Sequence, residues 1–152
     1  MTVIVWDGET LATDGAATDG ACQWETEKAW YAHNAFGQYI ISGAGPLQTI
    51  LQMRQWYISG AHPDEFPEAQ TTLAFCQFVV VNSDGLRRWE QGAIPIEHQR
   101  LKCAFGEGKE FAYGAMAMGA TAAQAVEVAN KFSPHCGLGV HEYRLGGTSC
   151  DR

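Results

Sequence analysis

The sequence predicts an α+β fold in which two antiparallel sheets are flanked by helices. Three observations predict it. Short β-branched and aromatic runs separated by tight-turn signals fill much of the chain up to Phe105. Two stretches of helical periodicity follow between Gly108 and Phe132. A last strand-like run, Leu138 to Leu145, comes after them. Hairpins grouped in this way argue for antiparallel sheets covered by helices, not for alternating βα units.

The first strand is Thr2 to Trp6, Asp7-Gly8 is a hairpin signal, and Thr10 to Asp14 returns. Centring that hairpin on Gly8 pairs Trp6 with Thr10, Ile4 with Ala12 and Thr2 with Asp14. Residues 22–32 read as a longer strand and Gln38 to Ser42 as its neighbour, after a turn over His33 to Gly37 that holds Asn34. Leu47, Ile50, Leu51 and Ile58 recur at helical spacing between Pro46, a good first-turn residue, and Gly60, a good stop. His62 to Glu68 is a loop. Ala74 to Val81 is a buried strand, and Leu86 to Glu90 comes back after the turn Asn82 to Gly85. Arg100 to Phe105 is a further strand.

Gly106-Glu107-Gly108 then leads into a helix whose Phe111, Ala112, Ala115 and Met116 define one face. Thr121 with Gln124 forms a capping box, behind which Ala122, Ala125, Val126 and Ala129 keep a 3.6-residue period. No repeat or linker interrupts the chain, so residues 1–152 read as a single domain, large enough for a sizeable core.

Composition excludes several function classes. Lysine and arginine total 10 against 17 aspartate and glutamate, a net charge of −7, which gives no attraction to a phosphate backbone; nucleic acid is not an expected partner. No apolar run approaches the ~20 residues a membrane helix needs, and a soluble cytoplasmic protein is the expectation. The five cysteines carry no C-x-x-C spacing and fit neither a disulfide framework nor a zinc site. The 18% charged content is low against the usual ~25%, consistent with surface covered by partner subunits.

Two positions stand out chemically. In the register above, Thr2 meets the Asp14 carboxylate across the hairpin, with a plain surface Thr–Asp pair as the alternative. Alternation along residues 22–32 puts Lys28 on the apolar face with Trp24, Thr26 and Trp30. A buried ammonium requires a partner such as Asp14, unless the lysine snorkels past the sheet edge.

With those residues in view, the chain resembles the proteasome β-subunits and the bacterial HslV peptidase, which are N-terminal-nucleophile (Ntn) hydrolases. The resemblance is carried by Thr2 to Val5 behind a removable Met1, Leu11-Ala12-Thr13-Asp14-Gly15, Lys28 on the next strand, and Ile41-Ser42-Gly43 before a helix. Gly106-Glu107-Gly108 and Cys136-Gly137 extend it along nearly the whole chain. It implies the four-layer αββα sandwich of that family and a threonine peptidase acting on peptides or unfolded proteins inside a ring or other homo-oligomer. No cofactor or metal is implied. Thr2 would be the nucleophile, its own α-amino group the general base, Lys28 and Asp14 its electrostatic partners and the Gly43 N–H the oxyanion donor. Ile41 would shape an apolar substrate pocket.

The chain departs from the family's pattern in three places. Glu107 stands where relatives carry serine, and Ser133 and Cys136 stand where they carry an aspartate and then a serine near the last strand. Glu107 close to the Thr2 amine would raise that amine's pKa, whereas a solvated first-turn glutamate would not. A non-catalytic structural subunit and an amidase acting on a small non-peptide substrate are the rival readings. Gly106-Glu107-Gly108-Lys109 is not a phosphate loop, because Cys103 and Glu110 occupy its outer positions. Without an ATPase motif, unfolding of large substrates would need a separate ATPase partner. His135, Cys136 and His141 lack a clear fourth metal ligand. Trp24, Trp30, Trp56 and Trp89 are expected to fill core or subunit contacts.

Overall fold

The computed structural model describes residues 2–67 and 76–147. Strands β1 (Val3–Trp6) and β2 (Leu11–Asp14) are buried along their whole length; β1 is a continuous apolar run, whereas β2 ends on the buried polar residues Thr13 and Asp14. Their register is Ile4 with Thr13, Val5 with Ala12 and Trp6 with Leu11, one residue away from the expected pairing. Asp14 therefore lies across from Val3, whose N–H donates to Asp14 Oδ1 at 3.0 Å, and not from Thr2. The loop decides this slip. Asp7 Oδ1 accepts from the N–H groups of Glu9 and Thr10 at 3.0 and 2.8 Å, and Gly8 turns at φ +98°, so the connection is wider than a turn centred on Gly8 alone.

Strand β3 (Ala16–Asp19) and β4 (Cys22–Glu25) form a separate two-stranded hairpin, and β5 (Ala29–Asn34) begins only afterwards. The single long strand expected over 22–32 is thus broken at 26–28, where Thr26 N–H turns back to donate to the Gly15 carbonyl at 2.8 Å. Strand β6 (Gly37–Ala44) pairs with β5 and with β7 (Gln77–Asn82); β8 (Gly85–Trp89) and β9 (Ile96–Gln99) complete a five-stranded antiparallel sheet. The start of the strand expected from Ala74 lies outside the described residues.

The run expected as one strand from Arg100 is a turn followed by β10 (Cys103–Gly106), which pairs with β1. Gln99 takes φ +51° there, and its carbonyl accepts from Trp6 Nε1 at 3.0 Å. The last strand, β11 (Val140–Tyr143), joins β2 and closes a four-stranded sheet in the order β10-β1-β2-β11.

Helix α1 (Leu47–Ile58) lies behind Pro46 as its N-cap and buries Ile50, Met53 and Trp56. Helix α2 (Lys109–Ala117) buries Ala112 and Met116; Phe111, expected on that face, is 40% exposed and stacks on Phe132. A position one residue before Ala112 lies about 100° around the helix, which explains the difference. Helix α3 (Ala122–Phe132) has the capping box of Thr121 and Gln124 and buries Ala122, Ala125, Val126 and Ala129.

Alternation along the strands sorts the core. Ile4, Trp6 and Leu11 meet Ile40, Val79, Val81 and Leu86 between the two large sheets. Val3, Val5 and Ala12 on the opposite face meet the buried side of α2 and α3. Tyr39, Ile41, Phe78 and Val80 pack under α1 with Ile50, Met53 and Trp56. The molecule is an α+β fold built on antiparallel sheets. No helix among the described residues is long and apolar enough to cross a membrane.

Asp7 couples the first hairpin to α3, since its Oδ2 accepts from Ala122 N–H at 2.9 Å. Burial raises its pKa, but the amides of Thr10, Ala122 and Glu9 outweigh this and hold it below the ordinary 3.8. A lowered folded pKa contributes stability that is present above the unfolded value and lost as pH falls through the folded one. Asp7→Asn is therefore expected to unfold with a flatter pH dependence below about pH 4, read from denaturant midpoints across an acid series.

Candidate active site

The chain beyond Asp14 and the start of β5 bring three side chains together. Lys28 Nζ lies 2.7 Å from Asp14 Oδ1 and 3.1 Å from Thr2 Oγ1, and all three residues are at most 8% exposed. Lys28 does not reach this place by alternation along a strand, since residues 26–28 are not in one. Its carbonyl instead accepts from Ser42 Oγ at 2.6 Å, which anchors the lysine to β6. Burial pulls the Lys28 ammonium below its ordinary value, while the charge and hydrogen bond of Asp14 oppose that fall.

Asp14 is more heavily bound than any sequence pattern implied. Beyond Lys28, its carboxylate accepts from the backbone N–H of Val3 and, through Oδ2, from Ala16 at 3.3 Å and Gly137 at 3.2 Å. Three backbone amides and one ammonium thus converge on this single buried carboxylate. Gly15 N–H in turn donates to the Gly137 carbonyl at 3.0 Å. The segment after α3 is thereby tied to the lysine site.

Ser133 and Cys136 lie on that segment, both buried. Burial holds the Cys136 thiol above its ordinary value; a hydrogen bond from Ser133 opposes part of that rise, with the charges of Asp14 and Lys28 also acting on it. Both residues thus belong to the surroundings of the Thr2 site.

The two glycines around Glu107 have a structural reason. A Cβ on Gly106, at φ +90°, would lie 2.1 Å from the Thr2 carbonyl oxygen; one on Gly108 would lie 2.7 Å from Cys136 Sγ and 2.9 Å from Val3 Cβ. Only glycine lets this turn close over the first residues of β1. Gly106→Ala is expected to lower stability by at least about 2 kcal/mol in denaturant unfolding, because both the φ angle and the contact with backbone are unfavourable.

Thr2 stands between two clefts. The larger, about 730 Å³, is lined by Thr2, Lys28 and Gly43 together with Trp24, Trp30 and Leu51. The smaller, about 300 Å³, has Glu107, Lys109, Glu110 and Gln77 on its walls. Gly43 borders the first, and a Cβ there would press on Ile50 at 3.0 Å. Ile41 is fully buried under α1 and is not part of the cleft lining. It points the same way as its β5 partner Trp30, and Trp30 reaches the cleft. Trp24, expected in the core or a subunit contact, is 46% exposed on the cleft wall, whereas Trp56 and Trp89 are core residues. Sequence reasoning missed Ser42 and the tryptophan wall.

No protein-family model matches the chain, and no curated protein matches it in sequence. Solved structures do. BPH of Thiobacillus denitrificans superposes with a TM-score of 0.67 at 17% identity, over 95% of this chain and 98% of that one; it has also been solved in complex with epoxomicin. Eukaryotic HslV from Trypanosoma brucei gives a TM-score of 0.64 at 14% identity, over 93% of this chain and 97% of that one. The chain has the HslV-type fold. Anbu, an ancestral beta-subunit from Yersinia bercovieri, shares it at a TM-score of 0.64 and 10% identity, over 95% of this chain and 82% of that one. Within this fold Thr2 stands just before β1, beside Lys28, on the lining of the larger cleft.

Proposed function

We propose that the protein is an N-terminal threonine hydrolase that cleaves peptide bonds. The observation that carries this reading is the buried Thr2–Lys28–Asp14 chain, with its contacts of 3.1 and 2.7 Å, at the edge of the large cleft. Its fold, a single domain read as the four-layer αββα sandwich, has support in the three core clusters, one between the sheets and one under each set of helices.

Loss of Met1 frees the Thr2 α-amino group, whose ordinary pKa of about 7.7 to 8.0 leaves a large neutral fraction near neutrality. The neutral amine takes the Oγ1 proton, directly or through water, as Oγ1 bonds to the peptide carbonyl carbon. The Lys28 ammonium beside Oγ1 favours the developing alkoxide, and Asp14 keeps Lys28 charged and in place. The Gly43 N–H, at the cleft, stabilises the oxyanion, a contribution of about 100-fold or more for such a donor. The protonated amine then gives its proton to the leaving nitrogen as the C–N bond breaks, leaving an ester on Thr2 that water hydrolyses.

Cys136, within reach of the charges of Asp14 and Lys28, and Ser133, hydrogen-bonded to Cys136, serve as supporting hydrogen-bond groups. Trp24, Trp30 and Leu51 give the cleft an apolar character, and an apolar side chain fits it. Peptides or unfolded proteins are the substrate class, a homo-oligomer of this chain is the working assembly, and a separate ATPase would unfold large substrates.

Intact mass spectrometry tests the reading. The purified protein should lack the mass of Met1 and gain one adduct with an epoxyketone. A protein that retains Met1 and forms no adduct is instead a structural subunit with the same fold.

A further inference from the structure

His141 on β11 is a buried titratable side chain, 4% exposed, that the proposed chemistry does not use. Its Nε2 lies 3.3 Å from Oε1 of Glu25, the last residue of β4. The two residues belong to different sheets, so this contact joins the four-stranded sheet to the β3–β4 hairpin. Gly15 sits at the junction with no room for a side chain. A Cβ there would be 2.1 Å from the Leu138 carbonyl oxygen, 2.9 Å from His141 Nε2 and 3.2 Å from Glu25 Cγ.

The hairpin needs such an anchor. It is a two-stranded sheet whose second strand is exposed along its length, and hairpins of this kind are marginally stable in water by themselves. It nevertheless supplies Ala17, Thr18 and Trp24 to the large cleft beside Thr2. Its base is closed by Thr26 N–H to the Gly15 carbonyl, and Gly15 N–H reaches the Gly137 carbonyl. Glu25 is where the hairpin side chains reach the buried imidazole.

We propose that the Glu25–His141 contact latches the β3–β4 hairpin as a wall of the substrate cleft, which makes Glu25 and His141 positioning residues for substrate binding. The binding role rests on the hydrolase reading above; the hold on the hairpin does not. At the imidazole end, which is buried, water competes little for the contact. The Glu25 side chain is itself 57% exposed, so its truncation removes the contact without opening a core cavity.

Hydrogen exchange and kinetics on Glu25→Ala and Glu25→Gln test the latch. Glu25→Ala is expected to exchange about tenfold faster over residues 16–25, with β1 and β2 unchanged, as a local opening requires. Glu25→Gln, which keeps a polar side chain of the same length beside His141 Nε2, is expected to stay close to wild type. KM for a peptide with a large apolar residue should rise severalfold in Glu25→Ala while kcat stays within about twofold, the pattern of lost binding without lost chemistry. Unchanged exchange over 16–25, or acceleration spread equally through β1 and β2, overturns the latch. Faster hairpin exchange with unchanged KM overturns its role in binding. A wild-type protein inert to the epoxyketone defeats the hydrolase reading alone, because the exchange result still decides whether the latch exists.

Discussion

Thr2→Ala is expected to remove peptide hydrolysis, by on the order of 10⁴-fold or more in kcat, with little change in folding stability. The nucleophilic oxygen is lost outright, and neither the amine nor Lys28 can replace it. Stability should hold because the hydroxyl is only one of the groups near the ammonium, and Asp14 remains 2.7 Å away. The same variant should form no epoxyketone adduct. Thr2→Ser, which keeps the oxygen, should retain measurable turnover. Equal activity of Thr2→Ala and wild type would place the chemistry elsewhere in the cleft.

The second large effect separates Asp14 from Lys28. Asp14→Ala is expected to cost about 3 to 5 kcal/mol, since it leaves the buried Lys28 ammonium without its counter-ion. It also strands the N–H groups of Val3, Ala16 and Gly137. Lys28→Met removes the charge but keeps an apolar stem, and the Asp14 carboxylate retains its three amide donors; its stability loss is expected to stay near or below about 2 kcal/mol. Both variants should lose turnover. Thermal or denaturant unfolding beside a peptide-cleavage assay tests this, and a Lys28→Met protein as unstable as Asp14→Ala would contradict the central place given to Asp14.

Much of the fold was legible because its signals are local. The capping box at Thr121 and Gln124 and the buried alanines of α3 follow directly from a 3.6-residue period. The hairpin between β7 and β8 follows from Asn82 to Gly85 between apolar runs. The β3–β4 hairpin was missed although Asp19-Gly20, with Gly20 at φ +57°, is a hairpin signal of the same kind as Asp7-Gly8. Its exposed residues lacked the apolar alternation that made other strands visible. The β1–β2 register was misread by one residue because Asp7 accepts two amides and widens the loop, and sequence pattern does not fix such a loop's length.

For the site, the sequence determined the residue types: a threonine at position 2, an aspartate ending a buried strand, and a lysine among apolar neighbours that demanded a counter-ion. Only the tertiary structure decided how they meet. Lys28 reaches Thr2 and Asp14 from a non-strand segment anchored by Ser42, Asp14 is held by amides from positions 3, 16 and 137, and Trp30 takes the place at the cleft expected of Ile41. These contacts join residues up to 123 positions apart. Side-chain periodicity reports which face a residue occupies, whereas the distance between two faces is set by the packing of whole sheets and the loops that join them.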